Sequence, residues 1–212
     1  MAARFEFGAL QRMVLAAPAV PAAGRYPSSS ADPVSLLSLT LSSKDGETKG
    51  HCERLAGRAV AMGRALQLTA SEIAALELGG RVHDVGKLFI PDSILHKAAP
   101  LNHRERAIVN EHPILGERLC APVTALAPAL PIIRHHHERF DGSGYPDRLY
   151  GEQIPLVARI TQIVDIFDAL TTARPYKPAW SIAQSLATMQ GEAERGWIDP
   201  RLLREFAALV AR

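Results

Sequence analysis

Cysteine is nearly absent from this 212-residue chain, which has only Cys52 and Cys120. Two thiols exclude a disulfide scaffold and a zinc ribbon, and they read as small packing residues. An excess of one charge is also missing. Basic residues number 24 against 22 acidic, a formal net charge of +2. That balance argues against a protein working mainly as a nucleic-acid glove or a polybasic membrane anchor. No long apolar run is present near the start. The stretch from Met13 to Gly24 is broken by Pro18 and Pro21 and falls short of the roughly 20 residues that span a bilayer. Arg4 and Arg12 precede it as in a leader, but Glu6 and the prolines interrupt that pattern, so a cytoplasmic protein is expected. Convincing strand alternation is missing too.

What remains is 47% apolar and 22% charged, enough for one good core. Residues 1–32 are rich in Ala and Pro and end in Tyr26-Pro-Ser-Ser-Ser-Ala-Asp-Pro33, so a flexible arm is expected there. The folded unit is expected over 33–212, opening at Pro33, a residue suited to the first turn of a helix. Val34 to Leu41 starts a helix continuing toward His51. Leu55, Ala59, Met62 and Leu66 keep helical spacing. Thr69-Ala-Ser-Glu72 is a helix-start signature. Further helices are predicted over Arg104–Leu119, Leu130–Glu138, Pro155–Ala173, Ser181–Gln190 and Pro200–Val210. The fold class is all-α.

Histidine is the unusual component. There are eight, all between His51 and His137, with none in the last 75 residues. Imidazoles and carboxylates without thiolates suit iron, manganese or zinc. Glu47 and His51 are four apart, on one helical face. His83 and Asp84 are adjacent, about 100° apart around a helix, and can embrace one metal or reach two. His112 stands alone on its helix, and His136 and His137 are adjacent again. Asp165 lies between Val164 and Ile166, where an unpaired carboxylate is costly to bury. Each of these residues alone has an ordinary reading as a surface, capping or packing residue, and their spacing names no substrate.

The ordered motifs are more specific. They run His83-Asp-Val-Gly-Lys87, Ile90-Pro-Asp-Ser-Ile-Leu95, Glu111-His-Pro113, His136-His-Glu138 and Asp141-Gly-Ser-Gly-Tyr-Pro146. Gly151-Glu-Gln-Ile-Pro155, Ala158-Arg-Ile160, Asp165-Ile-Phe-Asp-Ala-Leu170 and Arg174-Pro-Tyr-Lys177 follow. The series resembles the HD-GYP family, a branch of the HD metal-dependent phosphohydrolases, over roughly residues 34–211. The resemblance implies an all-helical HD-domain bundle around a centre of two or three divalent metals, iron or manganese. It also implies hydrolysis of cyclic di-GMP to linear pGpG and onward to GMP. By motif it assigns His51, His83, Asp84, His112, His136, His137 and Asp165 to the metals, with Glu47 completing a three-metal centre. Lys87 and Asp84 take catalytic roles, and Tyr145, Asp168, Arg174 and Lys177 contact substrate.

The resemblance leaves two other readings open. One is an interaction module contacting diguanylate cyclases; the other is a phosphohydrolase for another cyclic dinucleotide. No DNA, RNA or membrane partner is expected, and a homodimer is left open. Two departures stand out. Arg148 replaces a usual glycine, so the loop after Pro146 is expected to differ locally. Phe89 replaces a smaller residue, which is expected to narrow the site. With about 33 residues before the match, a stand-alone effector domain without its usual sensor is expected.

Overall fold

The computed structural model describes residues 33–45, 49–173 and 178–211, together with Arg12. Apart from Arg12, the expected arm over 1–32 lies outside the described residues, as do Glu47, Arg174 and Lys177. The described chain is helical as expected. Its only sheet-like feature is a single bridge between Asp141 and Tyr150. No described helix is long and apolar enough to cross a membrane.

The principal helices are α1 (Pro33–Asp45), α2 (Lys49–Ala65), α3 (Ala70–Val82), α4 (Asp92–Leu95) and α5 (His103–Val109). They continue with α6 (His112–Cys120), α7 (Leu130–His135), α8 (Leu156–Thr171), α9 (Ile182–Glu194) and α10 (Pro200–Val210). Short 3-10 turns cover Val85–Phe89, Thr124–Ala129 and Gly151–Gln153. The start of α3 is fixed as predicted. The Thr69 side chain accepts from the Glu72 amide, and the Glu72 carboxylate accepts from the Thr69 amide. Asn102 with Glu105, and Ser181 with Gln184, start α5 and α9 the same way.

The first helix is described to Asp45 and His51 lies in α2; the stretch between them, across which that helix was expected to continue, lies outside the described residues. One expectation about helices needs correction. The single helix predicted over 104–119 is two, α5 and α6, separated at Asn110 and Glu111. Pro113 explains this break. It has no amide proton to return to the Val109 carbonyl, so the helical ladder fails there.

Two apolar cores flank α3. Leu55, Leu76, Ile160, Val164, Phe167 and Phe206 belong to one, and Leu37, Leu78, Val85, Leu119, Leu126 and Ile133 to the other. Burying each such side chain stabilises the fold by about 1.5–3 kcal/mol. Because α3 contributes Leu76 to one core and Leu78 to the other, its C-terminal end is held from both sides. His83 and Asp84 are carried on that end.

Candidate metal centre

Helix termini set the histidine rings. The last carbonyls of a helix have no partner within it. His83 caps α3, with Nδ1 3.3 Å from the Gly80 carbonyl oxygen. His136 caps α7 and reaches the Ile132 and Ile133 carbonyls at 3.0 and 3.1 Å. His112 opens α6, and its Nδ1 lies 2.8 Å from the Val109 carbonyl, the same group that Pro113 leaves without an amide. A carbonyl only accepts, so each Nδ1 carries the proton. Each Nε2 is left to face the interior. His51 lies in the first described turn of α2, away from its C-terminal carbonyls, and instead donates from Nδ1 to Asp168 Oδ2 at 2.7 Å. Such partners fix the tautomer and aim of a metal-binding imidazole.

The facing atoms form two adjoining donor sets. In one, ligand atoms of Asp84, His112, His136 and His137 all lie within 4.8 Å of one another; in the other, those of His51, His83 and Asp165 do. Asp84 stands between them. Its Oδ1 lies 3.1 Å from His112 Nε2 and 3.5 Å from His136 Nε2. Its Oδ2 lies 3.2 Å from His83 Nε2 and 2.8 Å from Lys87 Nζ. In the second set His51 Nε2 is 3.5 Å from Asp165 Oδ1.

These residues fit a cation. His112 Nε2 and His136 Nε2 face each other at 3.3 Å. With both Nδ1 atoms protonated, two neutral rings would oppose lone pairs there, beside a carboxylate oxygen. A shared positive charge resolves that contact, and nitrogen and oxygen donors without thiolate suit a divalent first-row metal. Burial holds His136 and His137 below the usual histidine range, which keeps them neutral as ligands. Burial alone would raise the Asp84 carboxyl. Lys87, with Nζ 2.8 Å from Oδ2, leads the groups that hold it well below the usual range.

Other expected residues fall differently. Asp165 is less enclosed than its apolar neighbours suggest, with 27% of its side chain exposed. Tyr145 stacks on His137, centroids 4.9 Å apart at 24°. Asp168 departs from its expected contact with substrate. It is buried behind His51, and both its oxygens are taken. Arg54 donates to each at 2.9 Å, and Arg58 donates to Oδ1. Asp168 therefore orients His51. Asp168→Asn is expected to cost about 2 kcal/mol, less than breaking a fully enclosed pair, because Arg54 and Arg58 keep contact with water. It is also expected to weaken metal affinity about tenfold or more. Urea unfolding and metal titration check the two effects.

Sequence reasoning missed Arg54, Arg58 and Glu138. His51, Arg54 and Arg58 follow helical spacing, so one face of α2 carried the signal. Glu138, buried at the end of the His136-His-Glu motif, accepts the Asp147 amide at 2.7 Å and the Leu149 amide at 3.1 Å. It thereby ties down the loop bearing Tyr145. Gly144 is required in that loop. A Cβ there would stand 2.2 Å from the Arg139 amide nitrogen.

Arg148 has φ 56, the left-handed conformation that glycine adopts freely. The loop therefore takes a glycine-like bend at a side-chain-bearing residue. Left-handed backbone costs an L residue about 1–2 kcal/mol, partly offset by the entropy a glycine loses on folding. Arg148→Gly is expected to stabilise the protein by about 0.5–1 kcal/mol, read from the urea midpoint.

The centre opens into a cleft of about 530 Å³ lined by His136, His137, Tyr145, Asp165, Arg106 and Arg139, among others. His96 and His103 belong to neither donor set. His135 lies beside Asp147 instead, its Nδ1 3.4 Å from Asp147 Oδ2.

Comparison with known proteins gives a consistent result. The cyclic di-GMP phosphodiesterase response regulator RpfG of Xanthomonas campestris is 41% identical over 176 residues, covering 79% of this chain and 45% of that protein. The 3'3'-cGAMP-specific phosphodiesterase 2 of Vibrio cholerae is 36% identical over 169 residues, covering 79% and 32%. This chain thus spans less than half the length of these curated relatives. Among solved structures, Bd1817, an HD-GYP-type protein from Bdellovibrio bacteriovorus, superposes with a TM-score of 0.60 at 17% identity, over 76% of this chain and 52% of that one. That likeness shows the fold. A family model for the HD domain matches residues 35–202. With that match over most of its length, the chain belongs to the HD domain family.

Proposed function

We propose that this chain is a metal-dependent phosphodiesterase that opens cyclic di-GMP to linear pGpG and carries hydrolysis on to GMP. One observation supports the reading most: a single carboxylate, Asp84, faces two adjoining donor sets at the end of a dinucleotide-scale cleft. Divalent metals held there, iron or manganese, supply Lewis acidity toward a phosphoryl oxygen and lower the pKa of an attacking water. Asp84, His112, His136 and His137 would hold one ion, and His51, His83 and Asp165 a second. Asp84 would offer one oxygen to each. Glu47, four residues before His51, would complete a third site.

The remaining roles belong to the chain's own side chains. Lys87 Nζ, beside Asp84, offsets the negative charge that develops as the phosphorus–oxygen bond breaks. Water adds to phosphorus, and the leaving ribose oxygen takes up a proton. Tyr145 walls the cleft against His137, while Arg174 and Lys177 extend anion recognition. Arg106 and Arg139 join that cationic lining.

A second reading, hydrolysis of 3'3'-cGAMP, is favoured by the Vibrio cholerae relative. Protein purified anaerobically with iron or manganese is expected to convert cyclic di-GMP to pGpG, identified by chromatography and mass. A folded, metal-loaded sample without turnover of either dinucleotide would contradict the proposal.

A further inference from the structure

The cleft wall also holds residues outside the donor sets. Glu192, in the last turn of α9, lines it together with Arg139, Gln162 and Trp197. Backbone bonds bring these residues together from distant parts of the chain. The Trp197 amide donates to the Glu192 carbonyl at 3.0 Å, and the Phe140 amide donates to the Trp197 carbonyl at 3.1 Å. The Arg139 guanidinium lies 3.8 Å from the centre of the Trp197 ring, a contact that fixes a cation without neutralising it. Gln162 is already committed, because its Nε2 donates to the Glu138 carbonyl.

Two opposite charges in one cleft ordinarily pair. Here Arg139 and Glu192 have electrostatic influence on each other. Yet neither side chain makes an ion pair or a hydrogen bond among the described residues, whereas Arg54, Arg58, Arg134 and Arg159 all do. Glu192 is half-buried, and burial raises its carboxyl above the usual range. A partly desolvated carboxylate and a fixed guanidinium, facing one cavity and left for a ligand, define a recognition chemistry.

Guanine matches it. Its N1–H and N2–H₂ are two adjacent donors for a carboxylate, and its O6 and N7 are two acceptors for a guanidinium. Adenine presents the reverse at the same edge, with N1 an acceptor, and would leave the carboxylate facing a lone pair.

We infer that Glu192 is a specificity-determining residue that reads a guanine base, with Arg139 held by Trp197 beside it. The inference rests on the proposal that the cleft takes a cyclic dinucleotide, and it assigns the reading of a guanine base in that ligand to one residue of the cleft wall.

Equilibrium binding separates the inference from the catalytic reading. Metal-free wild-type protein and Glu192→Gln, in which turnover is suppressed, are titrated calorimetrically with cyclic di-GMP and cyclic di-AMP. Wild type is expected to prefer cyclic di-GMP by about a hundredfold, since a site built for polar partners strongly rejects a ligand lacking them. Glu192→Gln keeps the shape but turns a donor toward guanine N2–H₂, and it is expected to reduce that preference at least tenfold. An unchanged ratio in the variant would overturn the role of Glu192, even if the wild-type enzyme turns over cyclic di-GMP. A wild type that binds both ligands equally, or neither, would overturn it as well. Guanine-selective binding that Glu192→Gln abolishes, in a protein without turnover, would uphold the inference while the catalytic reading fails.

Discussion

Asp84→Asn is expected to lower phosphodiester turnover roughly a thousandfold or more, about 4 kcal/mol of transition-state stabilisation. The substitution keeps the size of the side chain and removes its charge and one ligand oxygen. Asp84 is the residue whose two oxygens face the two donor sets, Oδ1 toward His112 and His136 and Oδ2 toward His83. Losing either oxygen as a ligand uncouples those sets. Bound metal is therefore expected to fall by about one ion per chain alongside the activity, because ligand loss acts directly on affinity. Lys87 also loses its 2.8 Å carboxylate partner, so the surroundings of the donor sets become more cationic. Metal analysis and turnover on the same sample check both effects. Full activity with full metal content would remove Asp84 from the shared position.

Gly86→Ala is expected to be nearly as severe, through packing. A Cβ at Gly86 would stand 1.8 Å from the His112 carbonyl oxygen and 2.7 Å from the Gly116 amide nitrogen. Both atoms are backbone, so neither can rotate away. The 3-10 turn Val85–Phe89 would have to part from α6. Overpacking of this kind costs about 3 kcal/mol or more, a fall in Tm of about 6–12 °C for a chain of this size. The displacement also separates Asp84 from His112, so metal affinity is expected to drop before the protein unfolds. Thermal melts with and without metal check this. The variant should gain less stability from added metal than wild type does. The glycine of the His83-Asp-Val-Gly-Lys87 motif thus has a structural cause: two backbones touch where the donor sets are assembled.

The sequence made the helix starts and the donor residues readable for different reasons. Thr69 with Glu72, and Pro200 at the head of α10, are local signals whose partners lie within one turn, and they stand where expected. The break between α5 and α6 was also written locally, in the missing amide of Pro113, but an unbroken apolar spacing concealed it. The donor residues were legible through ordered motifs. Their aim was not, because it depends on which carbonyls the helix ends leave open. Asp168 shows the limit most clearly. Its three-residue spacing from Asp165 places both on one side of α8, yet spacing does not say that His51 separates them, with Arg54 and Arg58 behind. Glu192 and Trp197 carried no signal at all, since their relation to Arg139 exists only once the chain has closed on itself. The near-neutral composition likewise hid a cleft with Arg106 and Arg139 on its wall.

Turnover measured against metal occupancy tests the central claim most directly. Metal-free protein is titrated with manganese while bound ions per chain and conversion of cyclic di-GMP are followed together. Turnover is expected to stay low while the first ion binds and to rise as the second occupies the adjoining set. Full turnover at one ion per chain or fewer, or none at two, would contradict a catalytic centre shared through Asp84.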